Sequence, residues 1–595
     1  MFALVGAAWR CRAPLAILFA LCSSLAIAEI RYTVRPMSEA GRVEVTMAIP
    51  TQQGPLTLEV PRWAPGSYRL ADYHRNIADL KVADSAKRDL TVSKPGDSSW
   101  RFDAPSGIVT VRYTAPCPFV AGAMHYSGPA TYLYVVGRKE EACRLTVELP
   151  AGWKIAVGLD ALRGSQTTFS APDYDVLADN PVTMGDFIEL SYRVRGKPHT
   201  IALRGEPRAQ VDRDYILKVC RSITEAQADF FGGLPYNKYV WHFNVTPGQD
   251  GGGGLEHLSS TQISLAAGVG PRSVRVCSHE FFHVWNVKRI RSKPLGPFDY
   301  QELPKTGALW FLEGVTDYYA DLLLLRYGWS KEPEFYEDLA GNVRGVRSNA
   351  NRMQVSPHDA SYRVGEAANG RGNSQGYQVS YYNTGWLVGL CLDLEIRART
   401  GGKNSLDDVV KALWTQCKDG KPGFAEDEIR KLCVRFGGPT LGEFYDRVVM
   451  KPGELPVEEQ LAKVGLRLDQ RLEWYADPGF DWSAFGRNQT GARVTRVRET
   501  ASQALNSGDV ILAIDGEDCD GGSPGEVNRK TAAAIAKLEA GKPAKLRIRR
   551  GEQESEVTVT PVRASRTVWK VEEAAFGDAA LQALRRGWFY AEKRA

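Results

Sequence analysis

The chain has 595 residues, with 75 Lys and Arg against 70 Asp and Glu and a net charge of +5. That length calls for several domains, and a nearly balanced charge without a basic run excludes a nucleic-acid partner. Beyond the N-terminal leader no stretch reaches eighteen consecutive apolar residues, so no membrane span is expected.

Residues 1–28 carry Arg10 and Arg12, an apolar run over 13–21 broken by Pro14, and Ala26 and Ala28 in small-residue cleavage spacing. This pattern predicts a signal peptide cleaved near Ala28 and a periplasmic or secreted mature protein. Cys22 invites a lipoprotein reading instead, although Leu21 before it is a poor fit to the small residue wanted there. Eight cysteines follow, and an oxidising compartment permits disulfides. Cys117 with Cys143 is the first candidate pair, on a shared hairpin, and Cys417 with Cys433 is the second.

From 29 to 205, short alternating stretches such as Arg42-Val43-Glu44-Val45-Thr46-Met47 recur between Pro and Gly turns. They predict an N-terminal β-sheet domain. Residues 206–330 read as mixed, with a helix over 216–231 and a strand over 239–245. Gly251-Gly252-Gly253-Gly254 then precedes Glu256, and from the residues alone this run is a flexible loop.

His279-Glu280-Phe281-Phe282-His283 comes next, in a chain holding only 8 His. Residues four apart on a helix share a face, so both imidazoles can meet one zinc ion while Glu280 stands beside its water as a base. A zinc hydrolase needs a third protein ligand. Glu313, inside Trp310-Phe311-Leu312-Glu313-Gly314, is costly to bury without a cation and is the candidate. Asp317, one turn later, is placed to orient His279 through its other nitrogen. Residues 331–465 read as helical, with a polar, Gly-rich stretch over 349–378 as a loop above the cleft.

With these strings on the page, the chain resembles the gluzincin metallopeptidases, related to thermolysin and aminopeptidase N. More narrowly, residues 278–291, 309–319 and Trp63-Ala64-Pro65-Gly66-Ser67-Tyr68 are similar to the PDZ-containing glycyl aminopeptidases. The resemblance implies a multidomain α+β protein: a β domain over 29–205, a thermolysin-like domain over 206–330 and a helical part over 331–465. It also implies one Zn2+ per chain. Gly253-Gly254-Leu255-Glu256-His257 resembles the edge-strand sequence whose glutamate binds a substrate's α-ammonium, with His257 where the aminopeptidase N pattern has asparagine. Tyr382, three residues before Gly385, matches the oxyanion-binding phenol, and Tyr381 is the fallback.

Residues 466–568 resemble a PDZ domain through 491–497, 505–516 and 544–550, which allows a peptide ligand there. Ala484-Phe485-Gly486 is the nearest string to its carboxylate loop. The tail over 569–595 reads as a C-terminal helix beginning near Val571. The implied function is removal of N-terminal glycine or alanine from peptides with a free N-terminus. A gluzincin endopeptidase and a non-catalytic PDZ scaffold are the rival readings.

Overall fold

The computed structural model describes residues 29–247, 252–365, 379–418, 423–484, 491–498, 505–521, 524–574 and 578–590. The expected signal peptide, Gly251, the last 13 residues of the expected cleft loop and residues 485–486 lie outside them; the described start of that loop is corrected to two short helical turns, Ala350–Met353 and Pro357–Tyr362.

Alternation does form the first sheets. In Arg42–Thr51 the residues Val43, Val45, Met47 and Ile49 are fully buried, every second one, as a strand with one face on a core requires. This strand sits inside a seven-stranded sheet, packed with a four-stranded and a three-stranded sheet around one core. Buried tyrosines in that core satisfy their hydroxyls on backbone: Tyr32 on Leu133, Tyr113 on Thr131 and Tyr174 on Tyr132.

The expected boundary at 205 is corrected. Ile188–Val194 and Lys197–Arg204 leave the N-terminal sheets and begin the next one, because Lys197–Arg204 pairs in parallel with Tyr239–Thr246. Alternation announces a strand but is silent on its partner. The five-stranded sheet runs 188–194, 197–204, 239–246, 260–266 and finally the short edge strand Gly254–Glu256. Helices Arg213–Phe231 and Pro271–Phe282 share a core with Trp241, Phe243, Ile263 and Leu265 of that sheet. Thr316–Arg326, Glu332–Arg347, Tyr381–Thr400 and Leu406–Cys417 continue the same core as an all-helical region.

The expected disulfides are corrected as well. Cys117, Cys143, Cys417 and Cys433 are buried free thiols. Cys117 bonds Gly41 at one end of the large sheet, whereas Cys143 pairs with Ile30 at the other end. About seven residues of strand separate those ends, on the order of 20 Å, far beyond a disulfide's reach.

Leu466–Asp477 and Val562–Glu573 form a two-stranded antiparallel ribbon with Leu466 opposite Glu573 and Asp477 opposite Val562. Between its arms lies an antiparallel sheet with helix Pro524–Ala536 and a core of its own. The expected helix from Val571 onward is therefore shorter: Val571 belongs to the ribbon, opposite Leu468, and the helix spans Ala579–Phe589. It returns to the helical region, where Trp588 is fully buried and its indole N–H donates to Tyr318 at 2.7 Å. No described helix is long and apolar enough to cross a membrane.

Candidate metal centre and peptide cleft

Helix Pro271–Phe282 starts on a proline, whose missing N–H costs nothing in a first turn, and carries His279 in its last turn. His283 stands at its C-terminal boundary, still in helical backbone, so the two imidazoles face each other with their Nε2 atoms 2.9 Å apart. Glu313 Oε2 lies 3.2 Å from His283 Nε2 and 3.7 Å from His279 Nε2. These separations straddle the roughly 3.3 Å edge of a tetrahedron with ~2.05 Å bonds, so the three side chains fit a zinc ion. Glu313 arrives on a wide, π-type turn, Trp310–Val315, a form that recurs at functional sites.

The tautomers are set from behind. His283 Nδ1–H donates to the Asn286 carbonyl at 2.5 Å, which turns the Nε2 lone pair toward His279 and Glu313. His279 Nδ1 lies 2.9 Å from Asp317 Oδ1, in an oblique approach. Asp317 is itself within 3.7 Å of Arg275, which makes its closer pair with Asp321 at 2.6 Å. Asp321 also accepts the Trp386 indole N–H, so it braces helices rather than a histidine.

Glu280 and Glu256 complete a buried acidic group. Each is no more than 5% exposed, and each has a carboxylate oxygen without a hydrogen-bond partner among the described residues. Burial pushes Glu280 up to about 7, with Glu256 and Glu313 adding to the rise and both histidines opposing it. Burial likewise raises Glu256, against the pull of His283 and Lys288. Burial would raise Glu313 too, but His283 and His279 hold it down to about 2. The structure thus brings Glu256, Glu280, His279, His283 and Glu313 into one cluster.

Glycines decide how close the pieces come. A Cβ on Gly254 would lie 2.5 Å from the Glu280 carboxyl carbon, so only glycine lets the edge strand meet that acid. Gly253, beside it, bonds Ser264 through its carbonyl. A Cβ on Gly314 would meet the Gly385 Cα and the Tyr381 carbonyl at 2.5 Å, and one on Gly385 would strike the Trp310 carbonyl. This contact seats the first turn of Tyr381–Thr400 over the cluster, with the Tyr382 ring 6.2 Å from the His279 ring and Tyr381 4.8 Å from Tyr382. Burial and then Glu313 raise the Tyr382 phenol well above its ordinary value.

Other residues of the site escape local pattern. Gly66 and Tyr68 reach in from the N-terminal sheets, Tyr68 with φ +43° in the left-handed region, and burial followed by Glu313 and Glu256 raises its phenol well above the ordinary value. Gly66 leaves room for both Glu256 oxygens, which would lie 2.6 Å from a Cβ there. Only their place in the Trp63–Tyr68 string, noted for its resemblance, marked them in the sequence. His257 faces away from the cluster: it bonds Asp179 at 3.1 Å, which also holds Lys288 at 2.7 Å and the Leu258 N–H. The departure from asparagine at this position therefore ties the edge strand to the N-terminal sheets. Glu256, Tyr68, Gly66 and Lys288 also line a cavity of ≈630 Å3 that none of His279, Glu280, His283 and Glu313 reaches.

Comparison with known proteins sharpens the class. Residues 31–186 match the family model of the Peptidase M61 N-terminal domain, and residues 272–388 match that of the M61 glycyl aminopeptidase. No curated protein matches the chain. An aminopeptidase N family protein from Idiomarina loihiensis shares the fold, with a TM-score of 0.77, 23% identity and coverage of 94% of this chain and 100% of that one. An M1 zinc metallopeptidase from Deinococcus radiodurans, solved as a variant with a Tyr-Ser-Ala substrate, is 12% identical over 72% of this chain and 95% of its own, with a TM-score of 0.45. Another structure of an M1 zinc metallopeptidase from the same organism gives 0.43 at 12% identity, over 72% and 94%. The two M61 matches, one on each side of the edge strand, support a peptidase hydrolase.

Proposed function

We propose that this chain is a zinc-dependent aminopeptidase, with one Zn2+ per chain, that removes N-terminal glycine or alanine from peptides. The observation that carries the reading is a charge count. Glu256, Glu280 and Glu313 are three buried carboxylates, and buried charge must be compensated. Asp317 already has Arg275, and Asp179 has Lys288. A dication at His279, His283 and Glu313, with a substrate ammonium at Glu256, balances the remainder.

When bound, the ion supplies Lewis acidity and brings a water's pKa toward neutrality. The chain's own residues do the rest. Asp317 and the Asn286 carbonyl fix the two imidazoles so that their lone pairs converge. Glu280 takes the water's proton and passes it to the leaving amine. Tyr382, or Tyr381 beside it, donates to the carbonyl oxygen as that oxygen gains charge. Glu256 holds the α-ammonium, and Gly253 and Gly254 let the substrate backbone approach the edge strand. The preference for glycine comes over from the matched family.

Acetylating the N-terminus of a glycyl-peptide separates the readings. An aminopeptidase loses nearly all hydrolysis and an endopeptidase keeps it; a chelator abolishes both. A panel of aminoacyl-arylamides then tests the glycine preference. The PDZ-like resemblance of 466–568, with a peptide ligand there, and a periplasmic or secreted location stay with this proposal; a fractionation of cells tests the latter.

A further inference from the structure

The five-stranded sheet has a second face, turned away from the metal cluster. Register places Arg204, His242, Asn244, Gln262, Ser264, Gly253 and Leu255 on it, whereas Gly254 and Glu256 lie on the cluster's side. There a separate cavity of ≈270 Å3 is lined by Arg204, His242, Asn244, Gln262 and the edge strand's Gly253–Leu255, with His125 of the N-terminal sheets as its roof.

Two of these groups lack a counterpart. Arg204 is half-buried, and among the described residues its guanidinium has no carboxylate and no hydrogen-bond partner. Burial lowers its pKa, the nearby Cys117 thiol opposes that only in part, and among the described residues no carboxylate does so. A partly desolvated guanidinium with no anion beside it is an anion site by default. His242 is 3% exposed, and its Nε2 has no partner among the described residues.

The protons of the neighbouring chain of bonds can be followed. The Gln262 Oε1 accepts at 2.8 Å, so His125 Nε2 carries the hydrogen. Burial and Arg204 hold His125 neutral, down to about 3, so its Nδ1 is bare and takes the Thr183 hydroxyl hydrogen at 2.8 Å. Thr183 has one hydrogen to give, so it must accept from His242 Nδ1–H, also at 2.8 Å. His242 is likewise held neutral by burial. Its Nε2 is therefore a bare acceptor in need of a donor.

We infer that this cavity binds a small carboxylate carrying a hydrogen-bond donor next to the carboxylate, an α-amino acid, with the carboxylate on Arg204 and the ammonium on His242 Nε2. The inference goes beyond the peptidase reading and does not depend on it. An occupant would bear on the outer side of the strand whose inner side carries Glu256.

The test is calorimetric titration of the full chain with glycine and, separately, with acetate, in the parent, in Glu256→Ala and in the double variant Glu256→Ala with Arg204→Gln. Glu256→Ala removes amine binding in the peptide cleft and leaves this site. In that background glycine is expected to bind at least tenfold tighter than acetate, which offers nothing to His242. Adding Arg204→Gln, with an unchanged urea midpoint as the check on folding, is expected to weaken glycine at least tenfold. Glycine binding no tighter than acetate, or a loss below tenfold on removing the guanidinium, overturns the assignment.

Discussion

Glu280 has the burial and the neighbours of a general base, and among the described residues its carboxyl makes no competing hydrogen bond. Glu280→Gln keeps the shape and removes the base. It is expected to lower kcat about a hundred- to ten-thousand-fold, with zinc content by elemental analysis unchanged. His283→Ala, in contrast, is expected to lose the ion and the activity together. If Glu280→Gln left the biological output of the protein intact, the scaffold reading would replace the enzymatic one. At this scale the sequence was informative wherever spacing along one helix sets geometry. His279, Glu280 and His283 needed only a four-residue period. Tyr68, Gly66 and Asp179 lie about a hundred or more residues before the motif, and no local signal tells a strained turn that reaches a cluster from one that reaches water.

The meeting of Trp310–Val315 with Tyr381–Thr400 positions both Glu313 and the tyrosine pair, and it rests on Gly314 against Gly385. Gly385→Ala puts a methyl group onto backbone, which cannot swing aside. It is expected to cost about 1–3 kcal/mol or more and to weaken zinc retention, as read by denaturant melts and elemental analysis. Gly341→Ala, in helix Glu332–Arg347 with nothing within 4 Å of the added carbon, is the control. It should be neutral or gain up to about 1 kcal/mol from helix propensity.

A second element-scale joint ties Leu406–Cys417 to Thr316–Arg326 through Asp407, which accepts from Arg326 at 2.9 Å and from Tyr319 at 2.9 Å. Burial works against its charge, but Arg326 and Arg397 prevail and hold the carboxyl at about 2. A carboxyl depressed in the fold contributes stability above its unfolded value near 4 and loses it as pH falls from about 4 toward 2, some 2–3 kcal/mol in all. Urea midpoints between pH 5 and 2.5 should fall less steeply in Asp407→Asn than in the parent.

At the scale of the whole molecule, the order of β region, mixed region and helices was readable from changes of period, because each region keeps one period for many residues. Where the regions divide was not. Ile188–Val194 alternates like the strands before it and differs only in its partner. The tail shows the same limit: Val571 and Trp588 are both apolar, yet one completes a strand and the other plugs a helical core.

Asp477 and Val562 face each other as the last pair of the ribbon, so the 84 residues from 478 to 561 leave and re-enter the body at a single doorway. Everything they carry is, topologically, a passenger on a hairpin. Replacing them by an Asn-Gly turn, which suits a two-residue connection, should give a shortened chain whose anchoring indole still seats beneath Tyr318. Such a chain is expected to cleave short glycyl-peptides at a rate within a few-fold of the parent. A collapse of that rate would mean that the passenger steers the hydrolase.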